Sequence, residues 1–171
     1  MFIIQTTVDQ KAMTALARVS RKTLRRGRSG PVRTLAWFIV VLEAFLTATY
    51  LRGGEDGWQV NALLGLFMLG CILGEDWVNG AVGLRKVPPG SREVNAAFKD
   101  ESCYVHRTQA AESWWPYDQI RAAAETKDYF VLLLGRSQGQ VYDKKGFSWG
   151  EPEEFREFIH KKTGLKVQYI K

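Results

Sequence analysis

Two stretches of this chain abandon the alternation of polar and apolar positions that marks a water-soluble fold. Residues 34–51, TLAWFIVVLEAFLTATYL, carry one charge, Glu43, and residues 58–74, WQVNALLGLFMLGCILG, carry none. At about 1.5 Å of rise per residue the first makes about 27 Å of helix, near the roughly 30 Å hydrocarbon thickness of a bilayer. A buried helical hairpin in a soluble protein would show a polar face, whereas between positions 35 and 46 only Glu43 is charged. The pattern therefore predicts a transmembrane helical hairpin over residues 34–84, its second helix interrupted by Glu75 and Asp76 and resuming weakly to Leu84.

Outside that hairpin the period shortens. Residues 2–6, FIIQT, read as a strand, and Asp9 then caps a helix running to about Arg26, which Gly27 and Gly30-Pro31 end. After the breaker Val87-Pro88-Pro89-Gly90, short alternating runs predict strands near 93–98, 103–108, 111–115, 120–125, 129–134 and 138–142, with turns between them. A final helix starts at Pro152, has acidic residues at its positive end and Lys161 and Lys162 in its last turn, and stops at Gly164. The predicted fold is an α+β membrane protein: residues 1–33 a short strand and basic juxtamembrane helix, 34–84 the hairpin, and 85–171 a small antiparallel sheet or open barrel closed by a helix. The first strand, before the hairpin, is free to join the sheet after it.

Charge changes the picture by fixing sides. Residues 1–33 hold eight of the 24 basic residues and one of the 18 acidic ones, and Arg85, Lys86 and Arg92 follow the hairpin, while the connecting loop has Arg52 opposed by Glu55 and Asp56. Lysine and arginine concentrate on cytoplasmic flanks, so both ends are expected in the cytoplasm, with the chain in the cytoplasmic (inner) membrane. A cleaved secretory signal fits poorly, because the basic region before the first span is long and a second span follows at once. Arg21, Lys22, Arg25, Arg26, Arg28 and Arg33 are candidate contacts to anionic lipid headgroups, on a helix lying along the leaflet. Nucleic acid is the rival for such a patch, but the arm offers no aromatic ring beyond Phe2 to stack on bases and its arginines are already explained by topology.

Glu43 falls near mid-bilayer, where an acidic side chain is costly. Either it relays protons or ions, which requires several chains to assemble, or it is a protonated carboxyl hydrogen-bonded to Thr47 or Asn61. Ala44 and Ala48, and Gly70 and Gly74, form small-residue ridges that permit close helix approach. Glu75 and Asp76 are either a solvated helix end or partners of Arg28 or Arg33. In the last segment, Trp114 and Trp115 alternate across a strand, so one faces the core and the other outward. Trp114 is a candidate lipid anchor or protein hot spot, or is partly buried against the arm; Lys144 and Lys145 are candidate headgroup contacts or a solvated turn.

The arm and two spans, followed by Trp115-Pro-Tyr-Asp118-Gln-Ile120, Thr126-Lys-Asp128-Tyr-Phe130, Asp143-Lys-Lys-Gly-Phe147 and Glu153-Glu-Phe155-Arg-Glu-Phe158-Ile, resemble the YcxB-like family of bacterial membrane proteins. That resemblance implies a pleckstrin-homology-like fold for the part after the hairpin, with Trp115 pointing inward and Trp114 outward, and carries no catalytic residues. Val87-Pro-Pro-Gly90 departs from the pattern as a stiff break.

Candidate chemistry adds little. Gly135-Arg-Ser137-Gln-Gly139, followed by Asp143 and His160, has the order of an α/β-hydrolase triad, but that motif needs a strand-to-helix elbow in a large parallel sheet and here strands flank it. His106 and His160 are too few for a metal site, and Cys71 and Cys103 lie in different segments without ligand spacing. No cofactor is implied. The sequence predicts a noncatalytic interaction or regulatory module that meets the bilayer and either an unknown protein partner or its own copies; the alternative is a homo-oligomer passing ions or protons at Glu43. If Glu43 is a protonated structural carboxyl, Glu43→Gln retains wild-type abundance in isolated membranes and Glu43→Lys loses it, as immunoblots of the membrane fraction will register.

Overall fold

The computed structural model describes every residue except 55, 100, 136 and 137, and for 26, 28 and 29 the backbone alone. The chain divides into two units, Met1–Arg25 with Asp76–Lys171, and Arg26–Glu75. The first unit is thus discontinuous, and residues 1–25 belong to the same body as the sheet that follows the hairpin, not to a separate arm.

In the first unit, β1 (Phe2–Thr7) alternates inward Phe2, Ile4 and Thr6 with outward Ile3, Gln5 and Thr7. It pairs antiparallel with β2 (Glu93–Phe98) over its whole length, from Phe2 opposite Phe98 to Thr7 opposite Glu93. β3 (Cys103–Thr108), β4 (Glu112–Pro116) and β8 (Phe147–Trp149) complete a five-stranded sheet in the order β4-β3-β2-β1-β8. A second sheet has the order β7-β6-β5-β9, from β5 (Ala122–Glu125), β6 (Tyr129–Leu133), β7 (Gly139–Asp143) and β9 (Gln168–Tyr169), with β9 parallel to β5. The sheets are stitched where β7 turns into β8: the Asp143 amide donates to the Thr6 hydroxyl at 2.9 Å. Gly146 there packs on the Gln5 carbonyl so closely that a Cβ has no room. The strands β8 and β9, three and two residues long, are too short to leave a period in the sequence and are set by pairing alone.

Helix α1 (Gln10–Lys22) begins at Asp9, whose carboxylate accepts from the Ala12 amide at 2.8 Å, and buries Ala12, Ala15 and Val19 in this unit. It ends four residues earlier than the sequence pattern suggested, and its apolar stripe is spent on protein packing, not on a lipid leaflet. Helix α4 (Pro152–Thr163) inserts Phe155 and Ile159 and is closed by Gly164 at φ 68°, a conformation that favours glycine. Around Phe155 stand the rings of Phe2, Phe98, Phe130 and Phe147 with centroids 4.8–5.5 Å away, mostly edge to face.

The second unit comes from α2 (Arg26–Gly53) and the part of α3 (Trp58–Arg85) up to Glu75, joined at Gly54 and Gly57, whose φ values of 70° and 106° suit glycine. Gly27, Gly30 and Pro31 lie inside α2 and do not precede it; Pro31 is past the first turn, so its missing N–H leaves out one bond of the helical ladder. Both helices are long and apolar enough to cross a membrane, and only 6% of each apolar window is buried within the chain. Their apolar surfaces are therefore not packed away within the chain. Close approach between them occurs at Gly65, where a Cβ would stand 3.2 Å from that of Glu43; nothing crowds Gly70 or Gly74, which the small-residue pattern had singled out.

Phe155 is fully buried and shared by both sheets and α4, so Phe155→Ala should lower the stability of the full chain by about 3–5 kcal/mol, seen as a lower melting temperature by near-ultraviolet circular dichroism in detergent.

Candidate interaction surface

Strand register builds a surface that no local stretch of sequence reveals. Residues directly opposite one another share a face, and reading across the five-stranded sheet the partners are Trp149, Ile3, Ala97, Val105 and Trp114. Ile3 and Val105 point away from the phenylalanine core, to which neither contributes. At about 4.8 Å per strand this apolar row is about 19 Å long. Its two ends are tryptophans, Trp114 58% exposed and Trp149 66%, while Val105 between them is only 6% exposed. Two residues along each strand runs a polar row, Gln5, Asn95, Arg107 and Glu112, in which Arg107 Nε donates to Glu112 Oε2 at 2.9 Å. Beside it a shallow open groove is lined by Gln5, Asn95, Tyr129, Asp143 and Lys145. Burial, reinforced by Asp9, Asp143 and Asp128, pushes the Tyr129 phenol up to about 12, so it is a neutral donor in that groove. An aromatic and aliphatic band edged by polar side chains has the anatomy of a protein-binding patch.

Trp114 is outward as expected, and Trp115 packs against the core. Lys145 stays at the groove. Lys144 turns inward: its Nζ donates to Glu125 Oε2 at 2.9 Å and to the Thr126 carbonyl at 2.7 Å, and lies 4.9 Å over the Phe130 ring. Arg156 completes a bidentate pair with the same carboxylate at 2.9 Å. Burial alone would raise the Glu125 carboxyl, but the bonds from Arg156 and Lys144 outweigh it and hold the group below the usual carboxylate range. Lys144 is thus a counter-ion for a buried carboxylate, not a headgroup contact.

Arg21 departs from the leaflet reading in the same way. Its guanidinium forks onto Asp76 through Nε to Oδ1 and Nη2 to Oδ2, both 2.7 Å, with the Arg18 Nε 3.5 Å from Oδ2. Gln10 Nε2 donates to the Trp77 carbonyl at 2.9 Å, and Gly80 and Gly83 leave room for Thr14 and Met13. The partner of Asp76 is therefore on α1, while Glu75 does meet Arg33, at 3.5 Å. Lys22 and Arg25 are exposed, and the side chains of Arg26 and Arg28 lie outside the described residues. Glu43 is half-buried; the Thr47 hydroxyl donates to its main-chain carbonyl at 2.7 Å, not to its carboxyl, whose Oε2 has no hydrogen-bond partner among the described residues.

Of the hydrolase-like triad, Ser137 lies outside the described residues. Asp143 accepts from the Lys145 amide at 2.8 Å, and the His160 Nδ1 meets the Leu165 carbonyl at 3.1 Å, so each is tied to its own turn. Among the described residues no His, Cys, Asp and Glu group has the geometry to hold a metal ion. A polar cluster the sequence did not reveal joins the two sheets: the Tyr104 and Tyr142 hydroxyls both donate to Gln140 Oε1 at 2.6 Å, and the His106 Nδ1 lies 3.2 Å from the Tyr142 oxygen. With its proton committed to Gln140, Tyr142 accepts from His106, which fixes the Nδ1–H tautomer.

Residues 98–159 match the family model described as YcxB-like protein, a segment reaching from the end of β2 into α4. Comparison with curated proteins and with solved structures gave no match. The match covers the strands and helix that carry both the Trp114 edge and the Glu125 hub.

Burial holds the His106 imidazole below its ordinary value. The unfolded chain therefore takes up this proton first, and the stability present above about pH 6.5 is lost as pH falls toward the folded pKa. His106→Gln should remove part of the fall in melting temperature between about pH 7 and about pH 5, measured on both proteins in one buffer series.

Proposed function

We propose that this protein is a membrane-anchored, noncatalytic interaction module whose pleckstrin-homology-like domain stands in the cytoplasm and binds a protein partner through the outer face of its larger sheet. The observation that carries the reading is the Trp149–Ile3–Ala97–Val105–Trp114 row, apolar, outside the core and exposed at both ends. Scattered surface apolar residues need no explanation, whereas a contiguous row ending in two tryptophans marks a recognition site.

Connectivity supports the placement. Because β1 and β2 bracket the hairpin and pair in one sheet, both ends of the hairpin are on one side of any membrane it enters, so the number of crossings is even. The excess of Lys and Arg outside the connecting loop makes that side the cytoplasm of a cytoplasmic membrane. Successive meanders β1-β2-β3-β4 and β5-β6-β7, followed by α4, support the pleckstrin-homology-like reading.

Photoreactive residues replacing Trp114 and Trp149, one at a time, in native membranes test the function. A recurrent protein partner captured from both positions and lost from a control on the opposite face supports it. Crosslinks to lipid alone overturn it, and crosslinks to the chain's own copies alone replace it with the homo-oligomeric reading, in which Glu43, whose Oε2 has no hydrogen-bond partner among the described residues, gains a role. Independently, Asp56→Cys in a background lacking Cys71 and Cys103 should react with an impermeant maleimide from outside the cell, while Gln168→Cys reacts only after the membrane is opened.

A further inference from the structure

We infer that residues 166–171 fold back beside the end of α1 to extend the basic stretch before the hairpin into one patch for anionic lipid headgroups. This inference rests on the membrane reading above. It differs from the sequence expectation in its membership: Arg21 leaves the patch, being forked onto Asp76, and Lys166, Tyr169 and Lys171 enter it.

The juxtaposition is specific. Lys22 Nζ donates to the Lys171 carbonyl at 2.7 Å across 149 positions of sequence. The segment is held by three further ties: Gln168 and Tyr169 pair with Ala124 and Glu125 in β5, the Ile170 amide donates to the Glu125 carbonyl at 2.8 Å, and the Ile170 side chain is buried to 7%. With Ile170 committed inward, Lys166, Gln168, Tyr169 and Lys171 are left exposed, Tyr169 at 55%. Neither contributing stretch dilutes the charge: residues 10–25 and 160–171 contain basic residues and no Asp or Glu.

Covalent connectivity places this patch near the bilayer. Lys22 stands four residues before α2 and eight before the apolar span that starts at Gly30. Four residues at about 3.5 Å and four helical ones at about 1.5 Å bound the distance to about 20 Å along the backbone, and lysine side chains and a Debye length of about 8 Å close much of that gap. A surface combining lysines with an exposed tyrosine suits the water–lipid boundary, where aromatic rings concentrate and anionic headgroups attract basic segments. The partner chemistry is therefore a phospholipid headgroup bearing net negative charge.

The test uses the full chain, with Cys71 and Cys103 replaced by serine, reconstituted in vesicles with a nickel-chelating headgroup and a nitroxide at Gln168→Cys. In vesicles with about 30% phosphatidylglycerol the headgroup nickel should relax the label, and the effect should fall at least about twofold in zwitterionic vesicles or when Lys166→Gln and Lys171→Gln are combined. A second label at Leu66→Cys, on the exposed apolar face of α3, reports insertion through its accessibility to dissolved oxygen. Relaxation at position 168 that ignores both anionic lipid and the lysine changes, with position 66 in hydrocarbon, overturns the headgroup patch and leaves the membrane reading intact. A water-exposed label at position 66 overturns both.

Discussion

One pairing holds the molecule together: β1 against β2, six residues in register with residues 8–92 intervening. β2, β3 and β4 form a local meander and β8 joins at the far edge of β1, but this contact closes a loop containing three helices. The entropy of closing a long loop grows only slowly, about 0.6 kcal/mol per doubling, and it is offset here by backbone bonds and by burial of Phe2, Ile4 and Thr6. The pairing also supplies the middle of the sheet's outer apolar row, since Ile3 and Ala97 lie between its ends. Without β1 the sheet would lose β8 as well, and Trp149 with it.

The same closure gives α1 its character. Positioned between β1 and the hairpin, it is basic enough to suit a lipid surface, yet it buries an alanine and valine stripe and sends Arg21 and Arg18 to Asp76. A carboxylate near the base of a hydrophobic helix is costly if left alone, and a two-pronged guanidinium is the partner that best satisfies both oxygens. Glu125 is handled in the same manner inside the domain, by Arg156 and Lys144. In both places cations that look available in the sequence are consumed by buried acids.

How much was legible follows from what each feature depends on. The hairpin, seven of the strands and α4 announce themselves through local period, caps and breakers. Trp114 outward and Trp115 inward follow from strand alternation with the family resemblance. By contrast, the inward turn of Lys144, the Arg21–Asp76 pair and the seating of α1 on Gly80 and Gly83 join residues far apart in sequence, and no local pattern encodes them. The tryptophan row is intermediate: each member is visible, but their alignment depends on four registers and the bulge beside Ile3.

The split of the first unit around the hairpin also orders the protein's biosynthesis. A chain is made from its amino end, so β1 emerges before either hydrophobic helix and waits, with both edges unpaired, while α2 and α3 are made. Its partner strand exists only after residue 98 has been made, and β8 only after residue 149. The first unit is therefore completed only after both apolar helices have been made, and a ribosome that stalls inside the hairpin leaves an orphan hydrophobic strand.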